Sequence, residues 1–394
     1  MNETILPADR EPEASFVSRV LSDTWRRPGA RLGLAWVGLV AFCAVFAPFL
    51  ASSHPWLMRA GGGWSSPLLA HLSPADVSLL AITALGFAAF LLRRRLGGRR
   101  VLLAFAGLSV LVTTLAVLTV HPPQLVVHEQ YRTGLADGTI ETVILAPVPF
   151  SPTDRSRDAP VSLSPPDGTH LLGTDEDGAD VLSRMIHACR IALGIGFVAT
   201  GIAFVVGVVY GGIMGFFAGW TEILMMRLLE IFESIPALFL LLTVVAFFGR
   251  NLYLIMAVIG LTSWPAFARY LRAEFLKLRQ QEFVLAARAA GLPTWSILFR
   301  HMLPNGVAPL LVAASFGIAS AILAEAILSF LGLGVVDEPS WGSMLNQAVG
   351  AGGDFALWLA TFPGLAIFLT VFAYNLIGEA LRDAIDPHLR QRPA

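Results

Sequence analysis

The chain is almost devoid of lysine: Lys277 is the single one among 394 residues. It follows Leu276, so the polypeptide carries no GxxxxGK[ST] phosphate loop and is not itself a P-loop ATPase. Charge of either sign is scarce, with Asp, Glu, Lys and Arg at 14% against 55% hydrophobic residues. That leaves too little polar surface to clothe a soluble globule of this length, and it points to a membrane protein. A formal net charge of -1 provides no global field for nucleic acid or an acidic substrate. The two cysteines, Cys43 and Cys189, form neither a disulfide framework nor a CxxC pair and read as small buried hydrophobes. The eight histidines make no HExxH or other helical ligand pair, and no GxSxG elbow occurs, so no metal site or hydrolase is expected. Asp175, Asp177 and Asp180 in GTDEDGAD lack the spacing to a closing glutamate that a calcium loop needs, and are expected to form a solvated acidic turn.

What is present is a series of apolar runs. About 20 residues are needed to cross the hydrocarbon, and residues 32–51 and 101–120 meet that length without a charge. Residues 191–217, 251–268 and 355–378 are also charge-free, while 305–336 is interrupted only by Glu325. Two shorter runs, 77–92 and 234–249, end in Arg93 and Arg250 as snorkelling residues, which brings the expected number of spans to about eight. The polar N-terminal stretch lacks a short apolar core with a small-residue cleavage site, so the first run is expected to stay as an anchor.

Arginine-rich short loops stay in the cytoplasm. Arg26, Arg27 and Arg31, the RRRLGGRR segment at 93–100, the 269–300 loop and the tail with Arg382, Arg390 and Arg392 then all lie inside, which an even number of spans satisfies. The expected division is a cytoplasmic segment at 1–31, a first span at 32–51, a hairpin of two spans at 73–120, an extracytoplasmic lobe at 121–190, a helical core at 191–378 and a cytoplasmic tail at 379–394. Proline clusters and a β-like run at 139–145 mark the outer lobe.

The inner loop at 271–304 contains EFVLAARAAGLPTWSILFRHMLPN. A short helix whose Ala286, Ala287 and Ala290 share one packing side ends at Gly291 and Pro293, and a second helix capped by Thr294 is expected to run to Leu303, with Pro304 leading into the next span. This stretch resembles the EAA loop of ATP-binding-cassette importer permeases, its signature falling on Ala286, Ala287, Gly291, Leu303 and Pro304. Leu285 stands where that pattern has glutamate, and His301 where it has a branched aliphatic. The passages beginning at His170, Met225, Ile322 and Asn375 resemble the dipeptide, oligopeptide and nickel branch of the same family, with Ala179 replacing its usual arginine. The hairpin at 73–120 is extra to that family's six-helix plan.

The resemblance implies an all-α polytopic permease in the cell inner membrane, both termini cytoplasmic, with no cofactor of its own. It implies partners that use ATP, namely two ATP-binding subunits docked on the loop through Glu282, Ala286, Ala287, Gly291, Leu303 and Pro304. A second homologous permease and an extracytoplasmic solute-binding protein would complete an importer of peptides or related small solutes. Glu230 and Glu325 are candidate pathway or subunit contacts, since a carboxylate inside an apolar span faces a bundle interior, a partner or a water path. For Glu325 a hydrogen-bonded packing role is equally open. Glu230 and Glu233 are expected to pair with Arg227 one turn away, and Gly207, Gly211 and Gly215 to admit a close helix neighbour. The alternatives are an ion-coupled secondary transporter built on Glu325 and a membrane scaffold built on the outer lobe.

Overall fold

The computed structural model describes residues 16–123, 130–155, 162–335, 338–350 and 355–385. The first fifteen residues, Val336 at the end of the apolar run 305–336, and Arg390 and Arg392 of the tail lie outside the described residues. An amphipathic helix, α1 (Phe16–Arg26), precedes the first span α2 (Pro28–Leu50). Short strands β1 (Leu57–Ala60) and β2 (Gly63–Ser65) and one turn of helix, α3 (Pro67–Ala70), lead to the paired helices α4 (Pro74–Leu96) and α5 (Gly98–Thr119). After α6 (Gln130–Ala136) and β3 (Thr142–Ile144) comes the long α7 (Val181–Phe217). Then follow α8 (Gly219–Glu233), α9 (Ala237–Phe248), α10 (Leu252–Leu278), α11 (Glu282–Ala289) and α12 (Thr294–Ser296). A π-helical turn, Ile297–Met302, joins α12 to α13 (Leu303–Phe330), and α14 (Trp341–Gly350) and α15 (Leu357–Ile385) complete the fold.

Seven of these helices are long and apolar enough to cross a membrane, or eight if α8 and α9 count as one span bent by 65°. The run at 234–249 is therefore not a span by itself: the twelve residues of α9 reach only about 18 Å, short of a hydrocarbon core of roughly 30 Å. Two spans continue well past their charge-free runs. The first ten residues of α7 precede the run that begins at Ile191, and Arg184 and Arg190 within them pair with Asp175 and Asp76. Beyond Ala268, α10 carries Arg269 and Arg272, which pair with Glu233 and Glu222 of α8. Each of these arginines has a carboxylate brought from elsewhere in the chain, so the helix is not ended by its charges. Glu233 thus pairs with Arg269 rather than Arg227, while Arg227 binds Glu230 at 2.6 Å as expected.

The tightest seam joins α7 to α10. A Cβ on Gly207 would lie 2.9 Å from the Trp264 carbonyl oxygen and one on Gly215 would lie 2.8 Å from that of Arg272, with Gly211 against Ala268 between them. Glycine at four-residue spacing lets the backbones touch, and Phe275, Leu271, Met214 and Leu229 fill the space at the Gly215 end. A second cluster packs α2, α14 and α15 onto the N-terminal half of α7 through Val40, Cys189, Trp341, Leu359 and Tyr374. Cys43 and Cys189 are both free thiols.

The extra hairpin stands apart. A capping box starts α4, with the Ser73 backbone N–H donating to Asp76 at 2.7 Å and Ser73 Oγ accepting from the Asp76 N–H at 3.2 Å, and Gly97, at φ +82, turns the chain into α5. α5 packs mainly on α4. Arg190 of α7 ties the hairpin to the bundle: it pairs with Asp76 and donates to the Ala44 carbonyl of α2 at 2.5 Å.

An antiparallel sheet of order β2-β1-β3 pairs Leu57 with Ile144 and Met58 with Ser65, so residues 57–65 join the later loop in one lobe. The acidic turn is not solvated, contrary to expectation. Asp175 and Asp180 are 0% and 2% exposed. Asp175 accepts the N–H groups of Asp177 at 3.0 Å and Ala179 at 2.8 Å, while Asp180 caps α7 by accepting the Ser183 N–H at 2.8 Å and lies 2.9 Å from His170 Nδ1. Backbone donors and Arg184 replace the water these carboxylates lose. Of the three aspartates only Asp177 stays on the surface, 3.2 Å from Arg155.

Candidate functional site

The loop at 282–302 is a knob packed on the α7–α10–α13 core. In α11 the buried side chains are Val284 and Ala287, three residues apart, which sit with Phe275, Ile297 and Met302. Of the three alanines expected to pack together, only Ala287 does; Ala286 and Ala290 face outward. The helix ends in a Schellman motif: the Gly291 N–H donates to the Arg288 carbonyl at 3.0 Å and the Leu292 N–H to that of Ala287 at 3.1 Å. That motif places Gly291 at φ +69, a left-handed conformation that a side chain resists.

The second helix departs from expectation in two ways. Its N-cap is Pro293 rather than Thr294, and it does not stop at Leu303 but runs unbroken into α13. The π turn explains this continuity. The Leu303 N–H reaches back five residues to Leu298, and the widened turn relieves the clash that the ring of Pro304 makes with the preceding turn of a regular α-helix. His301, where the resembling family has an aliphatic residue, places Nδ1 3.0 Å from the Ser296 carbonyl, and Asn305 Nδ2 donates to the His301 carbonyl at 2.7 Å. Both side chains engage backbone groups around the turn.

The outward surface of the knob is apolar and aromatic. Phe283, Leu285, Leu292, Trp295 and Phe299 are all exposed, Trp295 at 71%, and the rings of Trp295 and Phe299 lie 3.8 Å apart between centroids. Arg288 lies over the ring of Phe216, 5.4 Å from its centroid, at the base of the knob. The knob thus brings Glu282, Ala286, Ala287, Gly291, Leu303 and Pro304 together: Glu282, Ala286, Gly291 and Pro304 exposed, Leu303 half-buried, Ala287 buried. Trp295 and Phe299, four residues apart on one helical face, belong to this surface and were missed in the sequence, where the signature of Ala286, Ala287, Gly291, Leu303 and Pro304 and its departures at Leu285 and His301 stood out.

The two acids are elsewhere. Glu230 lies on the exposed end of α8, paired with Arg227. Glu325 is 5% exposed inside α13, accepts a hydrogen bond from Ser329 Oγ at 2.6 Å, and also bonds with Ser340 at the start of α14. Gly342 permits this packing, since a Cβ there would lie 2.8 Å from Ser329 Cβ.

The profile of the family described as "Binding-protein-dependent transport system inner membrane component" matches residues 207–391. A dipeptide transport system permease protein of Alkalihalophilus pseudofirmus is 36% identical over 251 residues, 63% of this chain and 81% of that one. An oligopeptide transport system permease protein of Haemophilus influenzae is 41% identical over 223 residues, 56% of this chain and 71% of its own length. A glutathione transport system permease protein of Pectobacterium atrosepticum is 39% identical over 226 residues, 57% and 75% of the two lengths. Among solved structures, the methionine ABC transporter MetNI in inward-facing form is matched at 19% identity over 50% of this chain and 96% of that one, with a TM-score of 0.41, too low to bear on the fold. The chain therefore belongs to the inner-membrane components of binding-protein-dependent transport systems, in the branch that holds these permeases, as a multi-pass, non-catalytic permease subunit of an ATP-driven importer.

Proposed function

We propose that this chain forms half of the pathway by which peptides or related small solutes enter the cell, paired with a homologous second permease. Two ATP-binding subunits, which use the ATP, dock on the inner loops, and an extracytoplasmic binding protein delivers the cargo. The observation that carries this reading is the knob: an exposed aromatic surface on a short helix whose other side is locked into the bundle by Val284, Ala287, Ile297 and Met302. A surface of that kind suits a protein partner, and its rigid seat passes a partner's movement to α10 and α13. Glu282, Ala286, Ala287, Gly291, Leu303 and Pro304 are the docking residues in this reading, with Ala287 and Leu303 supporting the others from below.

In the same reading, residues 191–378 are the permease core, 73–120 an added hairpin and 121–190 an outer lobe, and both termini are cytoplasmic. The pairing of Arg27 at the start of α2 with Asp383 near the end of α15 supports placing the two ends on one side. Glu325 is enclosed by Ser329 and the start of α14, which supports a packing role over ion coupling.

The test is to purify the complex in mild detergent, intact and with Gly291→Arg or residues 286–291 deleted. An ATPase and a second permease should copurify with the intact chain, and the ATPase should be lost from both variants, with cargo-stimulated ATP hydrolysis abolished. Normal coupling in both variants would sink the reading.

A further inference from the structure

At mid-depth α7, α10 and α13 enclose a cavity of about 200 Å³ lined by Thr200, Ser263, Tyr270, Phe267, Phe316 and Ser320, with alanines and Gly317 filling the gaps. Thr200 is the twentieth of the 37 residues of α7, close to its middle. We propose that this cavity is a solute-contact subsite that takes an uncharged hydrogen-bonding group, a single peptide unit, as cargo crosses the membrane. The proposal rests on the peptide-permease reading above and adds the residues that meet the cargo.

Three observations carry it. Thr200 is 6% exposed, yet its hydroxyl has no hydrogen-bond partner among the described residues. An unpaired hydroxyl inside an apolar bundle is costly unless something visits it. Every side chain lining the cavity is uncharged, so an ionised group entering it would lose its water without gaining a counter-charge, whereas an amide would be met by hydroxyls. Ser263 already donates to the Ile259 carbonyl at 2.7 Å, which leaves its oxygen to accept, while Thr200 is free to donate. One acceptor and one donor suit the N–H and C=O of a peptide unit.

The surface around the cavity is also wrong for lipid. Ser263, Ala266 and Tyr270 are exposed along one side of α10, whereas the exposed side of α5 presents Leu102, Leu103, Leu111, Leu115 and Leu118. Small and hydroxylated residues at membrane depth face protein or a water-filled path.

The complete complex in proteoliposomes, with its binding protein and ATP, tests this. It is supplied with a mixture of di- to tetrapeptides bearing uncharged side chains, and peptide delivered per ATP hydrolysed is read by mass spectrometry of the vesicle contents. Thr200→Val should lower that ratio about tenfold, the value of one hydrogen bond, and Thr200→Ser should restore it. Ala266→Leu, at an exposed position on the lining, should lower it by filling the cavity, while Leu111→Ala on α5 should match the wild type. Delivery by Thr200→Val and Ala266→Leu equal to the wild type would overturn the subsite alone. A wild-type complex that delivers no peptide would overturn the peptide reading, and the subsite with it.

Discussion

The hairpin helix α5 and the core helix α10 make an instructive pair. By hydropathy α5 is the stronger membrane helix, at 2.5 against 1.4, but only 6% of its most apolar window is buried within the protein, against 50% for α10. Hydropathy records what a helix tolerates around it; it does not record what holds it in place. Lipid tails are as apolar as leucine, so leucine-rich α5 gains little by packing. α10 is held by contacts that need small residues and charges: the glycine row of α7 lies along it, and Glu222 and Glu233 bind its arginines. Cohesion in this fold comes from the residues that look least suited to a membrane.

Breaking the seam should have the largest effect. Gly211→Leu drives a side chain into the Ala268 backbone, and overpacking of that kind costs about 1–3 kcal/mol or more. A marked fall in melting temperature, measured by size-exclusion chromatography after heating, is expected, whereas Gly107→Leu on α5, where a Cβ meets nothing within 4 Å, should melt like the wild type. Equal melting of the two variants would remove the distinction between seam and hairpin.

Asp76→Asn sharpens the comparison by cutting the tie between the two regions. Losing one partner of a largely enclosed ion pair costs about 3 kcal/mol, less where water reaches it, and the Arg190 side chain is 19% exposed. Amide exchange should quicken along α4 and leave α7 beyond Ala192 unchanged; uniform quickening would mean that the hairpin is integral to the bundle.

The smallest effect lies in the turn at 167–170. Asp167 accepts the N–H groups of His170 at 2.5 Å and Thr169 at 2.8 Å, and these bonds hold its carboxyl below the usual carboxylate range. A lowered folded value means that the turn is supported at neutral pH and loses that support as pH falls through it. Once corrected for intrinsic rates, protection of the Thr169 and His170 amides should therefore decline under acid, and Asp167→Asn should lack that acid step. The same step in both proteins would exclude Asp167 as its source.

The parts of this fold that were legible in the sequence are those that depend on near neighbours. The charge-free runs located α2 and α5, and Gly291-Leu292-Pro293 marked the end of α11 because a Schellman turn is written in adjacent residues. The extensions of α7 and α10 were not legible, since Arg190 is tolerated only because Asp76 arrives from 114 positions away. The acidic turn was misread although the partners of Asp175 lie within nine residues of it, because what covers the turn is distant: Trp358 of α15 donates to the Thr174 carbonyl from 184 positions away. Four-residue β1 carries no strand signal until its partner β3 lies beside it. In the candidate site the backbone turn could be read, whereas its aromatic surface depends on which side of α11 and α12 the core takes.

The π turn before α13 holds one residue more than an α turn of the same height. Deleting a single residue within 297–302 would let the helix close regularly and leave the bearing of everything before it nearly unchanged, whereas keeping all six residues in regular α turns would rotate that segment by about 100° about the axis. Trp295 would then point to a different compass bearing, with its chemistry unchanged. The direction in which this protein presents its aromatic surface is thus set by a count, and the π turn is what absorbs the one surplus residue.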